Sequence, residues 1–237
     1  MSTNTIDVRR ADQRFHTDAG WLDSRHSFSF GHHRDRTNTH HGLLLVNNDD
    51  VVRGGTGFET HPHQDMEIVT WVLEGELEHK DTLRNRGIIY PGLAQRMSAG
   101  TGIWHSEMNA SGDRDVHFVQ MWVLPDTEAI EPSYQQLDIN AELDRGGLVP
   151  IASGQGHDSA ISIRQRDAVL WGGRLRSGET VAVPDAPHAH VFVARGAADL
   201  EGAGSLGEGD AVRLTAAGDP DVTAGPEGAE VLIWATA

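Results

Sequence analysis

Two short motifs contain side chains whose types and spacing could hold a metal ion. His61 and His63 lie in HPHQDMEIV, and His105 and Glu107 lie in WHSEMN. In an extended strand, side chains two residues apart project from the same face, so each motif would present its two donors together. If the two strands converge inside a β-barrel, three imidazoles and one carboxylate would meet. The sequence therefore predicts one metal site built from these four residues.

The donor types restrict which ion would bind. Imidazole and carboxylate suit a divalent transition metal, with iron as first choice and nickel, copper, cobalt, manganese and zinc as alternatives, and they suit calcium poorly. The chain has no cysteine, so thiolate ligands and disulfides are excluded. An octahedral ion would keep open positions for substrate or oxygen, whereas a closed tetrahedral set could be structural zinc. An isolated HxH is weak evidence, because two surface histidines on a strand need no function. The second pair, with the same spacing, strengthens the metal interpretation.

The elements that would position these donors are short β-strands. Apolar segments such as HGLLLVNNDD, EIVTWVLEG, DVHFVQMWVLP, HAHVFVARG and EVLIWAT are bounded by turn residues, and no long helical stripe competes with them. This pattern predicts an all-β chain of antiparallel sandwiches or barrels. The strand pattern is lost between about residues 126 and 150, which predicts two domains, residues 1–130 and residues 131–237. Their similar strand-and-turn rhythm predicts a duplicated barrel.

Charge and composition limit the partners. The formal net charge is −16, with 19 basic against 35 acidic residues. Contact with phosphates relies on clustered Lys and Arg, so the charge argues against binding of nucleic acid or an anionic membrane surface. Small molecules or another protein remain as partners. The N-terminal residues lack the apolar run of a signal peptide, and no stretch approaches the length of a membrane span, so we expect a cytoplasmic protein.

Two longer stretches resemble a known family. GGTGFETHPHQDMEIVTWVLEGELEHKD and NRGIIYPGLAQRMSAGTGIWHSEMN closely resemble the two signature stretches of the pirin family, a branch of the cupins. The likeness covers about residues 8–125 and thins to general architecture beyond. It implies a bicupin fold, two jelly-roll barrels in tandem. It also implies a metal in the N-terminal barrel, held by His61, His63, His105 and Glu107.

The resemblance also bears on other candidate residues. Glu67 stands where many cupins have a carboxylate ligand, four residues after His63 and on the same strand face. Because the pirin pattern uses the later glutamate, we interpret Glu67 first as a residue that orients a ligand or acts as a base, and second as a ligand. His79 in EHKD is expected to lie in an exposed turn. The C-terminal half repeats an HxH at His188 and His190 without a second pair, so its barrel is expected to be metal-free.

Members of this family have been associated with opening of flavonols such as quercetin, and others with protein partners. Our leading hypothesis is therefore a metal-dependent dioxygenase of the quercetin type, with a flavonol and O2 as substrates. Glu107, or alternatively Glu67, would remove the proton of the 3-hydroxyl group. Aromatic side chains near the motifs could line an apolar pocket for a planar substrate: Phe28, Phe30, Phe58 and Trp104.

Two rival hypotheses remain open. One is a non-catalytic regulatory protein whose metal controls binding of a protein partner. The other is a structural metal in a different cupin enzyme, such as an isomerase. It ranks last because the sequence lacks a cluster of Arg and Lys near the ligands for a sugar phosphate.

Overall fold

The computed structural model describes residues 4–158 and 161–237, and strands account for most of its regular structure. The strands of the first half are β1 (Thr5–Arg9), β2 (Phe15–Asp18), β3 (Leu22–His26), β4 (Leu44–Val52), β5 (Gly57–His63), β6 (Glu67–Glu74), β7 (Leu77–Asp81), β8 (Arg86–Ile89), β9 (Leu93–Ser98), β10 (Ile103–Asn109), β11 (Val116–Val123) and β12 (Ser133–Asp138). The strands of the second half are β13 (Val149–Ser153), β14 (Ile161–Ser162), β15 (Ala168–Leu175), β16 (Thr180–Ala182), β17 (His188–Leu200), β18 (Gly204–Gly207), β19 (Ala211–Thr215) and β20 (Asp221–Thr236). A 3-10 turn (Ala11–Gln13) and one short helix, α1 (Asn140–Leu143), complete the described elements. The prediction of an all-β chain is confirmed.

Two sheets enclose the interior of the first half. One has seven strands in the order β12-β9-β6-β11-β4-β3-β2, and the other has four strands in the order β5-β10-β7-β8. Side chains bridge them: Thr70 on β6 and Gln120 on β11 both donate to Glu107 on β10. The four-stranded sheet therefore carries both predicted ligand motifs, on β5 and β10, and faces the seven-stranded sheet across the interior.

The eight strands of the second half and β1 form one nine-stranded sheet, whose main path is β1-β19-β17-β20-β15-β13-β14. One strand crosses between the halves, because β1 of the first half pairs with β19 of the second; β12, although it lies after residue 130, pairs with β9. A shared hydrophobic core joins them and contains Val69 and Trp71 from β6 together with Phe192 and Trp234 from the second half. Among the described residues, no helix has the length and hydropathy needed to cross a bilayer.

Strand β6 shows how the sequence separates the interior of the first half from this shared core. Seven of its eight residues are buried, because both faces of the strand are covered. Thr70 points toward β10, where it reaches Glu107. Trp71, next along the strand, points the opposite way and donates its indole N–H to Glu230 of the second half at 2.7 Å. Alternation along β6 thus decides which residues reach the candidate site.

Candidate metal centre

The centre is built around β10, which lies between β5 and β7 in the four-stranded sheet. His105 lies directly opposite His61 on β5, and the two ring centroids are 4.5 Å apart. His63 lies two residues further along β5, with its ring 4.9 Å from that of His61 and 5.0 Å from that of His105. Cross-strand pairing and same-face alternation together bring the three histidines into one cluster.

The nitrogen atoms of this cluster have the arrangement of a metal-binding site. One nitrogen from each of His61, His63 and His105 lies within 4.8 Å of the others. The Nδ1–H of His61 donates to the carbonyl of Glu59 at 2.7 Å, which leaves its Nε2 for a ligand. The Nε2 atoms of His63 and His105 are buried and have no hydrogen-bond partner among the described residues. Buried imidazole nitrogens without partners are costly unless a ligand satisfies them, so the donor set fits a divalent transition metal.

The protonation of these rings also fits a metal site. Burial, followed by the neighbouring histidines, lowers the pKa of His63 to about 4 and that of His105 to about 3. Both rings are therefore neutral at pH 7. Neutral imidazole is the form that coordinates a metal, so protons do not compete with the ion at these two ligands near neutral pH.

Glu107 lies beside this cluster rather than within the group of three. Its carboxylate is buried, at 2% exposure, and forms a second group with His79 and His105 whose donor atoms lie within 4.8 Å. Its Oε1 accepts a hydrogen bond from Thr70 at 3.2 Å, and its Oε2 accepts one from Gln120 at 2.6 Å. A carboxylate oxygen accepts more than one interaction, so both bonds are compatible with an additional ligand. His105 is the residue that the two groups share.

His79 is not in an exposed turn, and that prediction is wrong. Strand β7 continues to Asp81, and pairing with β10 places His79 directly opposite Glu107 and Asp81 directly opposite His105. The His79 side chain is fully buried and stacks on Tyr134 at a centroid distance of 4.8 Å. The polar segment EHKD resembles a turn in sequence because Glu78 and Lys80 face outward, but the side chain of Asp81 is buried with that of His79 and the turn begins only after it.

A chain of hydrogen bonds leads from Asp81 to the cluster. If His105 binds a metal through Nε2, its Nδ1 carries the hydrogen, which points to the Nδ1 of His79 at 3.5 Å. The Nε2–H of His79 then donates to Oδ2 of Asp81 at 3.2 Å. These tautomers are mutually consistent. Such a partner fixes the ring orientation of a ligand histidine and raises its basicity.

Glu67 is placed apart from the cluster. The turn through Asp65, whose φ is +45°, ends β5 and breaks the alternation that would have put Glu67 on the face of His63. Its carboxylate accepts hydrogen bonds from Ser98 at 2.8 Å and from the backbone N–H of Arg164 at 3.0 Å. Burial raises the pKa of Glu67. Its contacts link the two halves of the chain, on the opposite face of β6 from Thr70.

A cavity of about 540 Å³ opens onto the cluster. Of the four aromatic residues predicted to line it, only Phe30 and Phe58 do so. Phe28 is buried in the shared core beneath Arg213, and Trp104 is 50% exposed on the outside of β10. Two other aromatic residues line the wall, Trp21 and Trp122, and the His63 ring meets Trp122 edge to face at 4.9 Å. The volume lies within the usual range for small-molecule pockets, about 300–1,000 Å³.

The cavity also has a polar side that the sequence analysis did not identify. We call Ser24, His26, Asn48 and Asp50 the polar wall; they lie on adjacent strands β3 and β4 and are all buried. Burial, followed by the charges of Asp49 and Glu107, raises the pKa of Asp50 to about 7. The sequence feature that could have predicted this polar wall is the polar run NNDD inside an otherwise apolar strand pattern. Such a run indicates that a β-strand has a polar interior face.

The remaining histidines lie elsewhere. His188 and His41 meet edge to face at 5.2 Å, and His190 is fully buried against Phe28. His33 bonds to Thr17 at 3.0 Å, next to the polar wall. In the described part of the chain, histidines and carboxylates form potential metal groups only in the two overlapping clusters around His105.

Comparison with known protein families gives two matches along the chain. Residues 7–123 match the family described as Pirin, and residues 150–234 match the family described as Quercetinase C-terminal cupin domain. Together they cover both halves, so the expected pair of cupin-type domains is confirmed. The second match begins after the polar segment in which the sequence lost its strand pattern.

Individual proteins give the same picture. The chain is 60% identical over 233 residues, 98% of its length, to a Mycobacterium tuberculosis protein named "Putative quercetin 2,3-dioxygenase", of which it covers 95%. It is 42% identical over 160 residues to the "Quercetin 2,3-dioxygenase" of Escherichia coli, with 68% of each chain covered.

A solved structure of a relative contains a metal. The bacterial pirin YhhW from Escherichia coli, in complex with nickel(II), superimposes with a TM-score of 0.89 at 33% identity, covering 97% of this chain and 98% of the other. Another structure of YhhW superimposes with a TM-score of 0.91, also at 33% identity, covering 98% of both chains.

Proposed function

The chain belongs to the pirin family, and from that premise we propose that it is a metal-dependent dioxygenase that opens flavonols such as quercetin with O2. One observation carries the proposal. Three histidines converge at the side of a cavity with aromatic walls, and two of them are neutral and have buried Nε2 atoms without a partner among the described residues. The names of the relatives, "Quercetin 2,3-dioxygenase" among them, support the reaction class.

In this proposal His61, His63, His105 and Glu107 hold one divalent transition-metal ion. The nickel(II) in the related YhhW structure supports a divalent ion and leaves iron, nickel and their neighbours as alternatives. When bound, such an ion supplies Lewis acidity that lowers the pKa of a coordinated hydroxyl group, here the 3-hydroxyl of the flavonol. The protein's own contribution is to orient the substrate and to accept its proton.

Glu107 is the proposed proton acceptor. It lies next to His105 on the interior face of β10, and it is buried together with the cluster. Thr70 and Gln120 donate to its two oxygens and so hold the carboxylate in one orientation.

The aromatic walls provide the second part of the proposed function. Trp21, Phe30, Phe58 and Trp122 line the cavity and present apolar surface to a planar ring system. Such walls also exclude water, which strengthens the electrostatic interactions between the substrate and the buried donors. In the reaction the activated flavonol takes up one O2, and the central ring opens with loss of one carbon monoxide.

The test combines metal analysis with an oxygen-electrode assay on quercetin. We expect about one metal ion per chain and consumption of one O2 per quercetin, both lost in His61→Ala. His40, an exposed loop histidine, provides the matched control, and His40→Ala should keep both properties. Anaerobic consumption of quercetin, or unchanged turnover in His61→Ala, would contradict the proposal. A metal-loaded protein without oxygen uptake on any flavonol would favour the regulatory alternative.

A further inference from the structure

The polar wall lies on the sheet that faces the metal centre. Ser24 on β3 pairs directly with Asp50 on β4, and His26 pairs directly with Asn48. All four side chains line the same cavity as His61, His63 and Glu107, yet none of them belongs to the potential metal groups of the described residues. The cavity therefore has two chemically distinct sides.

The internal hydrogen bonds of the polar wall show which atoms remain for a ligand. Ser24 donates its hydroxyl hydrogen to Oδ1 of Asp50, which leaves Oδ2. The Nδ1–H of His26 donates to Oδ1 of Asn48 at 2.9 Å, which leaves the amide Nδ2 of Asn48. Thr17 donates to the Nε2 of His26 at 3.0 Å and so fixes the orientation of that ring. The wall thus offers the cavity one carboxyl oxygen and one amide N–H group.

These groups are expensive to bury without a ligand. Asp50 is 4% exposed, and the nearby Arg14 is already paired with Asp49 at 3.2 Å. Among the described residues, Ser24 alone hydrogen-bonds to the Asp50 carboxyl. Burial of a carboxyl group without a cation is costly, and burial accordingly raises its pKa to about 7. An apolar residue at this position would avoid that cost. The presence of a carboxyl group here is therefore best explained by binding of a ligand in the cavity.

We propose that the polar wall is a second substrate-binding subsite, which takes a phenolic hydroxyl group at the end of the substrate remote from the metal. Asp50 Oδ2 and Asn48 Nδ2 are the atoms that meet this hydroxyl group: Nδ2 donates to it, and Oδ2 accepts from it when the Asp50 carboxyl is ionised and donates to it when the carboxyl is protonated. The inference rests on the proposed function and extends it. The preferred substrates are aromatic compounds with hydroxyl groups at both ends, one for the metal and one for the wall.

Two flavonols distinguish binding at the subsite from binding at the metal centre. Quercetin carries several hydroxyl groups, whereas 3-hydroxyflavone carries only the one that would meet the metal. Binding of both to the nickel-loaded protein is measured without O2, so that no turnover occurs. We expect the wild type to bind quercetin at least tenfold more tightly than 3-hydroxyflavone, because one good hydrogen bond corresponds to roughly a tenfold change in affinity.

The variant replaces both members of one wall pair with apolar residues. Ser24→Ala with Asp50→Leu keeps the approximate shape of the pair and leaves no polar partner unsatisfied. It should weaken quercetin binding about tenfold and leave 3-hydroxyflavone binding within twofold. Asp23→Asn is the matched control, because Asp23 adjoins Ser24 on β3 with its side chain 50% exposed. The single variant Asp50→Asn, which keeps one hydrogen bond, should lie between the wild type and the double variant.

The outcomes separate the two proposals. Equal losses for both flavonols, or unchanged discrimination in the double variant, would overturn the subsite while leaving the proposed function standing. If the double variant does not fold, unchanged discrimination in Asp50→Asn decides against the subsite. Failure of the wild type to bind either flavonol would overturn the proposed function and the subsite together.

Discussion

Replacement of Asp81 by Asn should weaken metal binding although Asp81 is not one of the four proposed ligands. Asp81 Oδ1 accepts hydrogen bonds from the backbone N–H groups of Leu83 and Asn85 at 2.9 and 3.0 Å, which an Asn Oδ1 can also accept. The Asn amide then faces His79, whose Nε2 must become an acceptor. That tautomer moves the hydrogen to Nδ1 of His79, where it faces the Nδ1–H of His105 at 3.5 Å.

The magnitude follows from burial and from the length of this contact. His79 is 0% and His105 2% exposed, so water cannot replace the lost acceptor. A buried donor without a partner costs about 1–3 kcal/mol, and loss of such supporting residues typically weakens metal binding about 10- to 100-fold. Because 3.5 Å is long for a hydrogen bond, we expect the lower end, about tenfold.

The assay is a competition titration of Ni²⁺ against a chelator at pH 7, with thermal unfolding of each metal-free protein to confirm folding. Glu78→Gln is the matched control, because Glu78 lies on the same strand but faces outward to Lys80 and Arg86. The wild type and the control should have the same affinity. An Asp81→Asn variant that folds and binds Ni²⁺ as tightly as the control would refute the proposed role of the chain from Asp81 to His105.

Three further predictions concern stability. Burial raises the pKa of the folded Asp50 carboxyl to about 7, whereas in the unfolded chain this carboxyl ionises near its ordinary pKa of about 4. Between these two values the folded state binds the extra proton, so the free energy of unfolding falls as the pH rises to about 7. The free energy of unfolding of Asp50→Asn should therefore increase by on the order of a few kcal/mol relative to that of the metal-free wild type as the pH rises from 4 to 8. If denaturant titrations gave the same difference between the two proteins at every pH, this prediction would be wrong. Burial lowers the pKa of His63 and His105 to about 4 and 3, so the metal-free protein should lose stability as the pH falls from about 6.5, where the unfolded histidines take up protons. The His63→Gln variant should lose less stability over the same fall in pH. Ni²⁺ at a hundred times its Kd should stabilise the protein by about 2.7 kcal/mol at pH 7, and an unchanged Tm on chelation would contradict specific binding.

Local spacing was sufficient to find the histidine cluster. The pairs His61 with His63 and His105 with Glu107 each obey the two-residue period of a strand, although the pairing of β5 with β10 shifts register between His105 and Glu107. The spacing could not show that His61 and His105 would pair directly, since register depends on the whole sheet. The separation of Glu107 from the group of three is likewise a product of tertiary packing.

Two errors have the same physical origin, namely the position of a turn. The spacing predicts that Glu67 lies on the face of His63, but the turn at Asp65 resets the alternation. The polar segment EHKD predicts a turn at His79, but pairing with β10 extends the strand through Asp81. In both cases hydrogen bonding to a strand distant in sequence, rather than local residue preference, decided where the strand ends.

The polar wall and the pairing of β1 with the second half depend on long-range contacts. Asn48 and Asp50 become cavity residues because β4 lies between β3 and β11, an arrangement that local sequence does not encode. Similarly, the first strand, Thr5–Arg9, joins the C-terminal sheet through β19, although the loss of strand pattern predicted a boundary far along the chain. Periodicity predicts which residues face inward, and topology decides what they face.

The most direct test of the metal assignment is a crystal structure of the protein loaded with Ni²⁺, with the ion located by its anomalous scattering. We predict one strong peak, about 2 Å from the Nε2 atoms of His61, His63 and His105 and within reach of Glu107. A peak that lies instead between His79, His105 and Glu107, or the absence of any peak near His61 and His63, would contradict the account.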